Sequence, residues 1–517
     1  MKGAAGLAGA AGSAAPSPRW AAPAMLLAGV LQTASFAPTE AWYLQILALA
    51  ALAWATAWAG PRRAAWLGWC FGVGWLVSGL WWLYISMHDF GGMPAPLAGL
   101  AVVLLAAALS LYFALAMALF AALRRGTPLA DGLLFAACWL LAELARGQWL
   151  TGFPWIASGY AHTTGPLAGL APWVGVYGIG TVAALLGAAL AQFARSARPG
   201  RRRWPLAALA LAVPLAAALL PAEFTTSTGS LRVSLLQPNV AQDLKFDADR
   251  IAANMAELQE RLHAARGELV VTPESVVPLP RSQLDPAYWA QLTAPFRGGP
   301  RAALIGLFLG DETVGYTNSM VGISAHPGAG GDYEYGKRHL LPFGEVIPPG
   351  FRWFVELMQI PLGDQEHGSN TTTFNAAGQR LRPLICYEDL FGEDFAASMV
   401  GPDAATVLVN ASNLAWFGRW MIQDQHLQFS RMRSLEFQRP LVRSTNTGST
   451  AAVDHHGRVT ARLAPLVAGT LEASVEGRSG ATPYARWLAR WGLWPCWAAA
   501  LAVLALLGAA RWQRRRA

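Results

Sequence analysis

Apolar residues are spread so unevenly along this chain that its middle and its flanks must fold in different solvents. Of 517 residues, 54% are hydrophobic, 14% are charged and 23 are Trp, a surplus too large for an ordinary water-soluble protein. The surplus fills residues 20–221 and returns only after Trp487, while the segment between has ordinary globular composition. The expected organisation is a transmembrane helical domain over 1–221, a folded α/β domain over 222–486, and a final transmembrane helix with a basic tail over 487–517.

A bilayer core about 30 Å thick needs about 20 apolar residues per crossing helix. Seven stretches before the α/β domain qualify, at 20–37, 42–60, 64–87, 96–123, 129–145, 168–194 and 204–221, and an eighth runs over 489–510. Only FAPTEAW separates the first two, which equally read as a hairpin. Alternating the loops between the two sides of the membrane gathers Lys2, Arg19, Arg62, Arg63, Arg124, Arg125, Arg195, Arg198, Arg201, Arg202, Arg203, Arg511, Arg514, Arg515 and Arg516 on one side. Arg146 alone falls in the short loops of the other. The basic side is the cytoplasmic one, so the 222–486 domain is expected to face the extracytoplasmic side. The formal charge of +8 thus reads as topology information and not as a nucleic-acid-binding face. The Ala/Gly-rich N-terminal tail lacks the charged region of a cleavable signal, so the first span is expected to be retained.

Within the spans, Glu143 is the main acidic residue, which makes it a functional candidate. It also lies one helical turn from Arg146 and equally reads as that residue's ion-pair partner. The following loop, TGFPWIASGYAHTTGPLAGLAPWVG, is aromatic and rich in Gly and Pro, as suits a segment lying at the headgroup level beneath the α/β domain.

In the middle segment, short runs rich in Val, Leu and Ile recur between turn signals: RVSLLQPN, ELVVTPES, AALIGLFLG, SMVGISA, RPLICYED, ATVLVNAS and PLVRSTN. Their lengths suit buried strands. Residues 247–266 place Ile251, Met255, Leu258 and Leu262 at helical spacing, and 423–437 also reads as an amphipathic helix. Strands alternating with helices predict a layered α/β domain.

Four cysteines are present, and Cys70, Cys138 and Cys496 fall in apolar spans, leaving Cys386 alone in the folded domain. Neither a disulfide framework nor a multi-cysteine metal site can be built there. Three apolar runs end in ionisable residues: Glu274 after ELVVTP, Lys337 in YGKRHLLPFGE, and Cys386 after RPLI. Each has a structural reading: Glu274 as a turn cap, Lys337 as a solvated lysine, Cys386 as a core thiol. Together they make chemical sense, because a carboxylate takes a thiol proton, an ammonium stabilises thiolate and oxyanion, and sulfur carries an acyl group as a thioester. The backbone N–H of Tyr387 is the expected second oxyanion donor.

PES at Glu274, GKRHLLPFGE at Lys337 and CYED at Cys386 resemble the Glu-Lys-Cys triad of the nitrilase superfamily of carbon-nitrogen hydrolases. Together with eight spans, GFPW, GPLAGLAP, ASNLAWFG, RMRSLEFQRPLVRSTNTG and TPYAR extend the resemblance over nearly the whole chain, to the apolipoprotein N-acyltransferase family. The resemblance implies an α-helical membrane bundle carrying a nitrilase-like αββα sandwich, with Glu274 as general base, Cys386 as nucleophile and Lys337 as oxyanion stabiliser. It also implies supporting or substrate-binding roles for Glu345, Glu388, Tyr387, Asn318 and Trp416, and no cofactor or metal. The implied donor is a phospholipid, typically phosphatidylethanolamine, and the implied acceptor is the α-amino group of the diacylglyceryl-cysteine that begins an apolipoprotein. The implied location is the bacterial inner membrane, with the catalytic domain periplasmic.

Segments 353–358 and 416–420 equally read as a lipid-facing lid or as packing. Leu414, where an acidic residue is usual, and Phe246, where Trp is common, depart from the family pattern and bear on loop contacts. Asn370 and Asn410 match glycosylation sequons by chance spacing. A membrane-anchored amidase or nitrilase is the competing enzyme reading, although one helix would suffice to anchor it. A transporter with an external ligand-binding domain is disfavoured, because the spans hold almost no ionisable residues.

Overall fold

The computed structural model describes residues 19–195, 222–245, 247–326, 331–347, 350–353 and 364–516, with isolated positions between 208 and 220. The predicted span 204–221 lies largely outside these residues, and Phe246 and residues 354–358 lie outside them altogether.

Among the described residues, the longer helices of the N-terminal part are α1 (Ala21–Thr33), α2 (Tyr43–Thr56), α3 (Pro61–Leu80), α4 (Ala95–Leu123), α5 (Pro128–Gln148) and α6 (Ala171–Arg195). Among the described residues, three helical stretches are long and apolar enough to cross a membrane, Ala95–Leu123, Pro128–Thr151 and Ala168–Arg195, and they coincide with the spans expected at 96–123, 129–145 and 168–194. The stretch expected at 64–87 is a bent pair, α3 followed after a 60° break by Leu83–Phe90. The expected spans 20–37 and 42–60 correspond to α1 and α2, whose 13 and 14 residues reach only roughly 20 Å each at helical rise. Close approach holds these elements together: a Cβ on Gly29 of α1 would stand 2.0 Å from the Phe71 carbonyl oxygen of α3, so only glycine permits that spacing.

The α/β part consists of two six-stranded sheets. The strands are β1 (Thr225–Gln237), β2 (Leu269–Val271), β3 (Ala302–Asp311), β4 (Gly315–Ile323), β5 (Tyr333–Gly336), β6 (Phe374–Ala376), β7 (Gln379–Ile385), β8 (Val407–Ser412), β9 (Leu441–Thr445), β10 (Ala451–Val453), β11 (Val459–Arg462) and β12 (Gly469–Gly480). One sheet has the order β12-β1-β2-β3-β4-β5 and the other β11-β10-β9-β8-β7-β6. Parallel pairing at the centre of each, β1–β2–β3 and β7–β8–β9, requires cover on both faces. This is why the central strands read as continuous apolar runs.

Alternation along the strands builds the layers. Val233, Leu235, Leu269, Val271 and Leu304 of the first sheet meet Leu381, Ile385, Val407, Val409 and Val442 of the second in a core between the sheets. The opposite side of the first sheet, including Leu236, Val270 and Ile305, is covered by α7 (Ala248–Ala264) and α8 (Pro286–Arg297) through Leu258, Leu262, Trp289, Leu292 and Phe296. The N-cap Asp247 accepts from the Asp249 N–H and starts α7. On the second sheet, Leu384, Leu408 and Leu441 pack with Phe429, Met432 and Phe437 of α9 (Ile422–Phe437), completing an αββα sandwich.

The α9 helix is not the half-exposed amphipathic helix its spacing suggests. Its sheet-distal side belongs to the same hydrophobic cluster as Trp139, Trp155 and Tyr160 of the N-terminal part, so Gln425, His426, Gln428, Ser430, Arg433 and Glu436 are all buried. Three of them bond directly across the junction. Gln428 Oε1 accepts from the Ala37 N–H (3.0 Å), Glu436 Oε1 from the Val176 N–H (2.7 Å), and Gln425 Oε1 from Trp155 Nε1 (2.8 Å). The chain then continues through α10 (Pro483–Trp491) into α11 (Trp494–Arg516) with an 86° bend, and this pair contains the span expected at 489–510.

Glu143 and Arg146 form a buried ion pair at 3.3 Å. Arg146 Nη1 donates to the Phe153 and Trp155 carbonyls (2.7 and 2.9 Å), and Glu143 Oε2 accepts from the Ser158 N–H (2.7 Å). The pair thus shapes the aromatic loop that follows α5. That loop meets the sandwich through Trp155 stacked on Tyr387, and through its Gly152 carbonyl, which accepts from Tyr387 Oη (3.1 Å).

Candidate active site

Glu274, Lys337 and Cys386 each stand just past the end of a strand, β2, β5 and β7 respectively. Thr272 Oγ1 accepts from the Gly306 N–H (2.9 Å), and a Cβ on Gly306 would lie 2.2 Å from the Pro273 carbonyl oxygen. A side chain there would push the Glu274 loop off β3. Lys337 continues the sheet: its N–H donates to the Asn318 carbonyl on β4 at 2.7 Å. Cys386 has φ +52°, a left-handed conformation that costs a non-glycine residue about 1–2 kcal/mol. The backbone turns there from β7 into the helical turn Cys386–Leu390, so the cysteine occupies a strained elbow.

The side chains form a closed network. Lys337 Nζ lies 2.8 Å from Glu345 Oε1 and 3.5 Å from Glu274 Oε1. Asn318 Nδ2 donates to the same two oxygens, at 2.6 Å to Glu274 and 3.0 Å to Glu345. The remaining carboxylate oxygens are fixed by backbone donors, Asn413 N–H to Glu274 Oε2 (2.9 Å) and Leu341 N–H to Glu345 Oε2 (2.8 Å). Glu388 faces away from this group and binds the elbow to the lysine strand. It accepts from the N–H of Ile385 (2.6 Å), of Arg338 (2.7 Å) and of His339 (3.3 Å), and from Tyr335 Oη (2.8 Å).

Burial draws the Lys337 ammonium downward, but Glu345 and Glu274 more than offset it, so its pKa lies above the ordinary lysine value and the group stays charged. The Cys386 thiol is pushed up by burial and by Glu274 and Glu345, against the opposing pull of Lys337 and Arg443. The resting sulfur is therefore protonated and needs a base when it attacks. Burial likewise pulls Lys245 down to about 8. Its Nζ donates to Ser275 Oγ (2.8 Å) and to the Glu274 carbonyl (3.3 Å).

Of the residues singled out in the sequence, Glu274, Lys337, Glu345 and Asn318 share one hydrogen-bonded cluster, and Cys386 interacts electrostatically with its charged members. Glu388 braces the elbow and does not join the cluster, and the buried Tyr387 ring faces the N-terminal part. Trp416 lies edge-on to Phe90 (ring centroids 5.7 Å apart), and the neighbouring Phe417 packs on Trp82. The turn carrying Trp416 starts two residues after Asn413, whose N–H holds Glu274. Leu414 is buried, and Asn410 is wholly buried in β8, which rules out its sequon as a glycan acceptor. Trp353 and Trp420 are exposed.

Sequence reasoning missed Asn413, Tyr335 and Lys245. A shallow groove beside Glu274 is lined by Pro238, Val240, Lys245, Asn254, Arg261 and Asn446, among others. Among the described residues, Glu223, His455 and His456 form one group with metal-ligand chemistry. It shares no residue with the Glu274 cluster, and Arg478 already donates to Glu223 at 2.8 Å.

A lone cysteine on an elbow, beside a lysine held by two glutamates, now stands against an apolar helical bundle. Residues 28–189 match the apolipoprotein N-acyltransferase N-terminal domain, and residues 232–484 match the carbon-nitrogen hydrolase family. The chain is 48% identical to an apolipoprotein N-acyltransferase of Verminephrobacter eiseniae, over 93% of this chain and 95% of that protein. It is 46% identical to one of Ralstonia nicotianae, over 90% of each. The chain belongs to the apolipoprotein N-acyltransferase family. The similarity to a further member, from Bordetella bronchiseptica, is 40% identity over 97% of this chain and 99% of that protein. Among solved structures, a CN-hydrolase superfamily protein of Xanthomonas campestris is 18% identical with a TM-score of 0.35, covering 51% of this chain and 96% of that one.

Proposed function

We propose that the protein is an acyltransferase that moves a fatty acyl chain from a membrane phospholipid to the α-amino group of the diacylglyceryl-cysteine beginning an apolipoprotein, by way of a thioester on Cys386. The observation that carries this reading is the Lys337 ammonium held between Glu345 and Glu274 beside a protonated thiol on a strained elbow, in a chain of this family.

In the first half-reaction Glu274 takes the Sγ proton as sulfur attacks the ester carbonyl of the phospholipid. The C–S bond forms, and the oxyanion is held by Lys337 and by the backbone N–H of Tyr387. Collapse breaks the ester C–O bond, and the proton on Glu274 leaves with the lysophospholipid oxygen. In the second half the amine nitrogen attacks the thioester carbonyl and gives a proton to Glu274. The C–S bond then breaks, and the proton returns to sulfur. Glu345 and Asn318 keep Lys337 and Glu274 aligned, Glu388 keeps the elbow against the lysine strand, and Trp416 lines the approach of the lipid. The chemistry needs no cofactor.

Phosphatidylethanolamine is the proposed donor. Both substrates leave a bilayer only at a cost of about 0.8 kcal/mol per buried CH₂, so the site is proposed to lie near the headgroup plane. The continuous core joining α9 to the helical bundle supports that placement. We assign the membrane part to 1–221 and 487–517, with eight crossings, and the catalytic domain to 222–486 on the periplasmic side of the inner membrane, supported by the distribution of arginines.

The test is two-stage transfer. Protein loaded with acyl-labelled phosphatidylethanolamine, stripped of free lipid and then given a diacylglyceryl lipopeptide is expected to pass its label to the peptide amine. Label released equally fast by water alone would support a hydrolase instead.

A further inference from the structure

Beneath Cys386 lies a second buried network that the acyl-transfer steps do not use. The Cys386 carbonyl accepts from Asn410 Nδ2 on β8 (3.1 Å) and from His426 Nε2 on α9 (3.0 Å). His426 Nδ1 lies 2.8 Å from Arg443 Nη2 on β9. A guanidinium only donates, so Nδ1 must accept, and the imidazole proton is fixed on Nε2, facing the Cys386 and Asp389 oxygens. Arg443 Nη1 also donates to Asn410 Oδ1 (3.0 Å) and contacts Asp389 Oδ2 (3.4 Å), and Ser430 Oγ donates to Asp389 Oδ2 (2.5 Å). His426, Asn410, Arg443, Asp389 and Ser430 are all fully buried. One guanidinium therefore orients both donors that grip the nucleophile's own carbonyl.

We propose that Asn410 and the Arg443-fixed tautomer of His426 form a latch that holds Cys386 in its left-handed elbow and so aims Sγ at Glu274 and the incoming carbonyl. These are positioning residues, since they touch the backbone of the nucleophile and not its sulfur. Glu388 ties the residue before the elbow to the lysine strand, but without the two donors the Cys386 carbonyl is left unpaired and the elbow loses contacts that offset its strain. The inference rests on the reading of Cys386 as the acylated residue.

Two substitutions at one position separate positioning from packing. In His426→Gln the carboxamide nitrogen stands where Nε2 stood and still donates to the Cys386 carbonyl. In His426→Asn the shorter amide reaches Arg443 but not that carbonyl. Single-turnover acylation by labelled phospholipid is expected to fall about 10²-fold in His426→Asn, as for a misaligned reacting group, with KM for the phospholipid unchanged. His426→Gln is expected to recover most of that loss. Asn410→Asp, which keeps the acceptor for Arg443 and removes the donor, is expected to behave like His426→Asn. Equal losses in the Gln and Asn variants, or wild-type acylation in His426→Asn or Asn410→Asp, would overturn the latch. Alkylation of Cys386 by iodoacetamide, measured on the same proteins, should follow the same order. It reads the elbow without any acyl transfer, so failure of the latch and failure of the thioester reading give different results.

Discussion

Lys337 sits where one ammonium must serve two carboxylates, with its buried Nζ 2.8 Å from Glu345 and 3.5 Å from Glu274. A planar guanidinium carries the same charge but spreads its donors over a wider fork. Lys337→Arg is therefore expected to lose about 10²–10³-fold in single-turnover acylation, the scale of removing an oxyanion donor. Near-normal turnover would mean a distant electrostatic role only. The raised thiol of Cys386 carries its own test. Labelling by neutral iodoacetamide should keep climbing about tenfold per pH unit past the ordinary thiol range, because the thiolate is the scarce species throughout. A plateau near about pH 8.5 would mean an unperturbed thiol. At this scale Glu274, Lys337 and Cys386 stood out in the sequence because each follows the end of a short strand-like run with an ionisable side chain, and their catalytic roles are the proposal. Asn413 and Tyr335 did not stand out, because one acts through its backbone N–H and the other through a contact 53 residues away. No local pattern encodes either.

The strands that were legible carry short apolar runs: β2, β3, β7, β8 and β9, together with the buried stretches of β1 and β4. The edge strands β5, β6, β11 and β12 and the three-residue β10 carry no such run. In β12, GTLEASVEGRSG, most positions are partly or fully exposed, and its pairing with β1 along twelve registers depends on a partner more than 200 residues away. In α9 the amphipathic spacing marks a helix but does not indicate that its polar residues are buried in a core shared with the helical bundle. Trp155 shows how tight this junction is: it stacks on Tyr387, lies edge-on to Phe429 at 4.9 Å and donates to Gln425. Trp155→Ala is expected to cost about 3–5 kcal/mol, as for other large-to-small core changes, read as a lowered Tm of the detergent-solubilised protein. An unchanged Tm would mean that the junction does not couple the two parts.

Across the whole molecule, one hydrophobic cluster runs from the helical bundle into the second sheet, so the elbow bearing Cys386 is built on the membrane part and not tethered to it. The proposed orientation of the assembly rests on the distribution of its arginines. Cysteines introduced near Arg202 should resist an impermeant thiol reagent applied from the periplasmic side, and cysteines near Gly299 should react; the reverse pattern would invert the proposed topology. The central claim is that sulfur at position 386 holds a fatty acyl group between two lipid substrates. It is tested most directly by incubating purified protein with acyl-labelled phospholipid in the absence of acceptor and asking which residue carries the label. The account predicts hydroxylamine-sensitive label on the peptide containing Cys386, absent from Cys386→Ser and scarce in Glu274→Ala. Label that persists in a Cys386→Ala protein, with unchanged transfer to a lipopeptide, would contradict it.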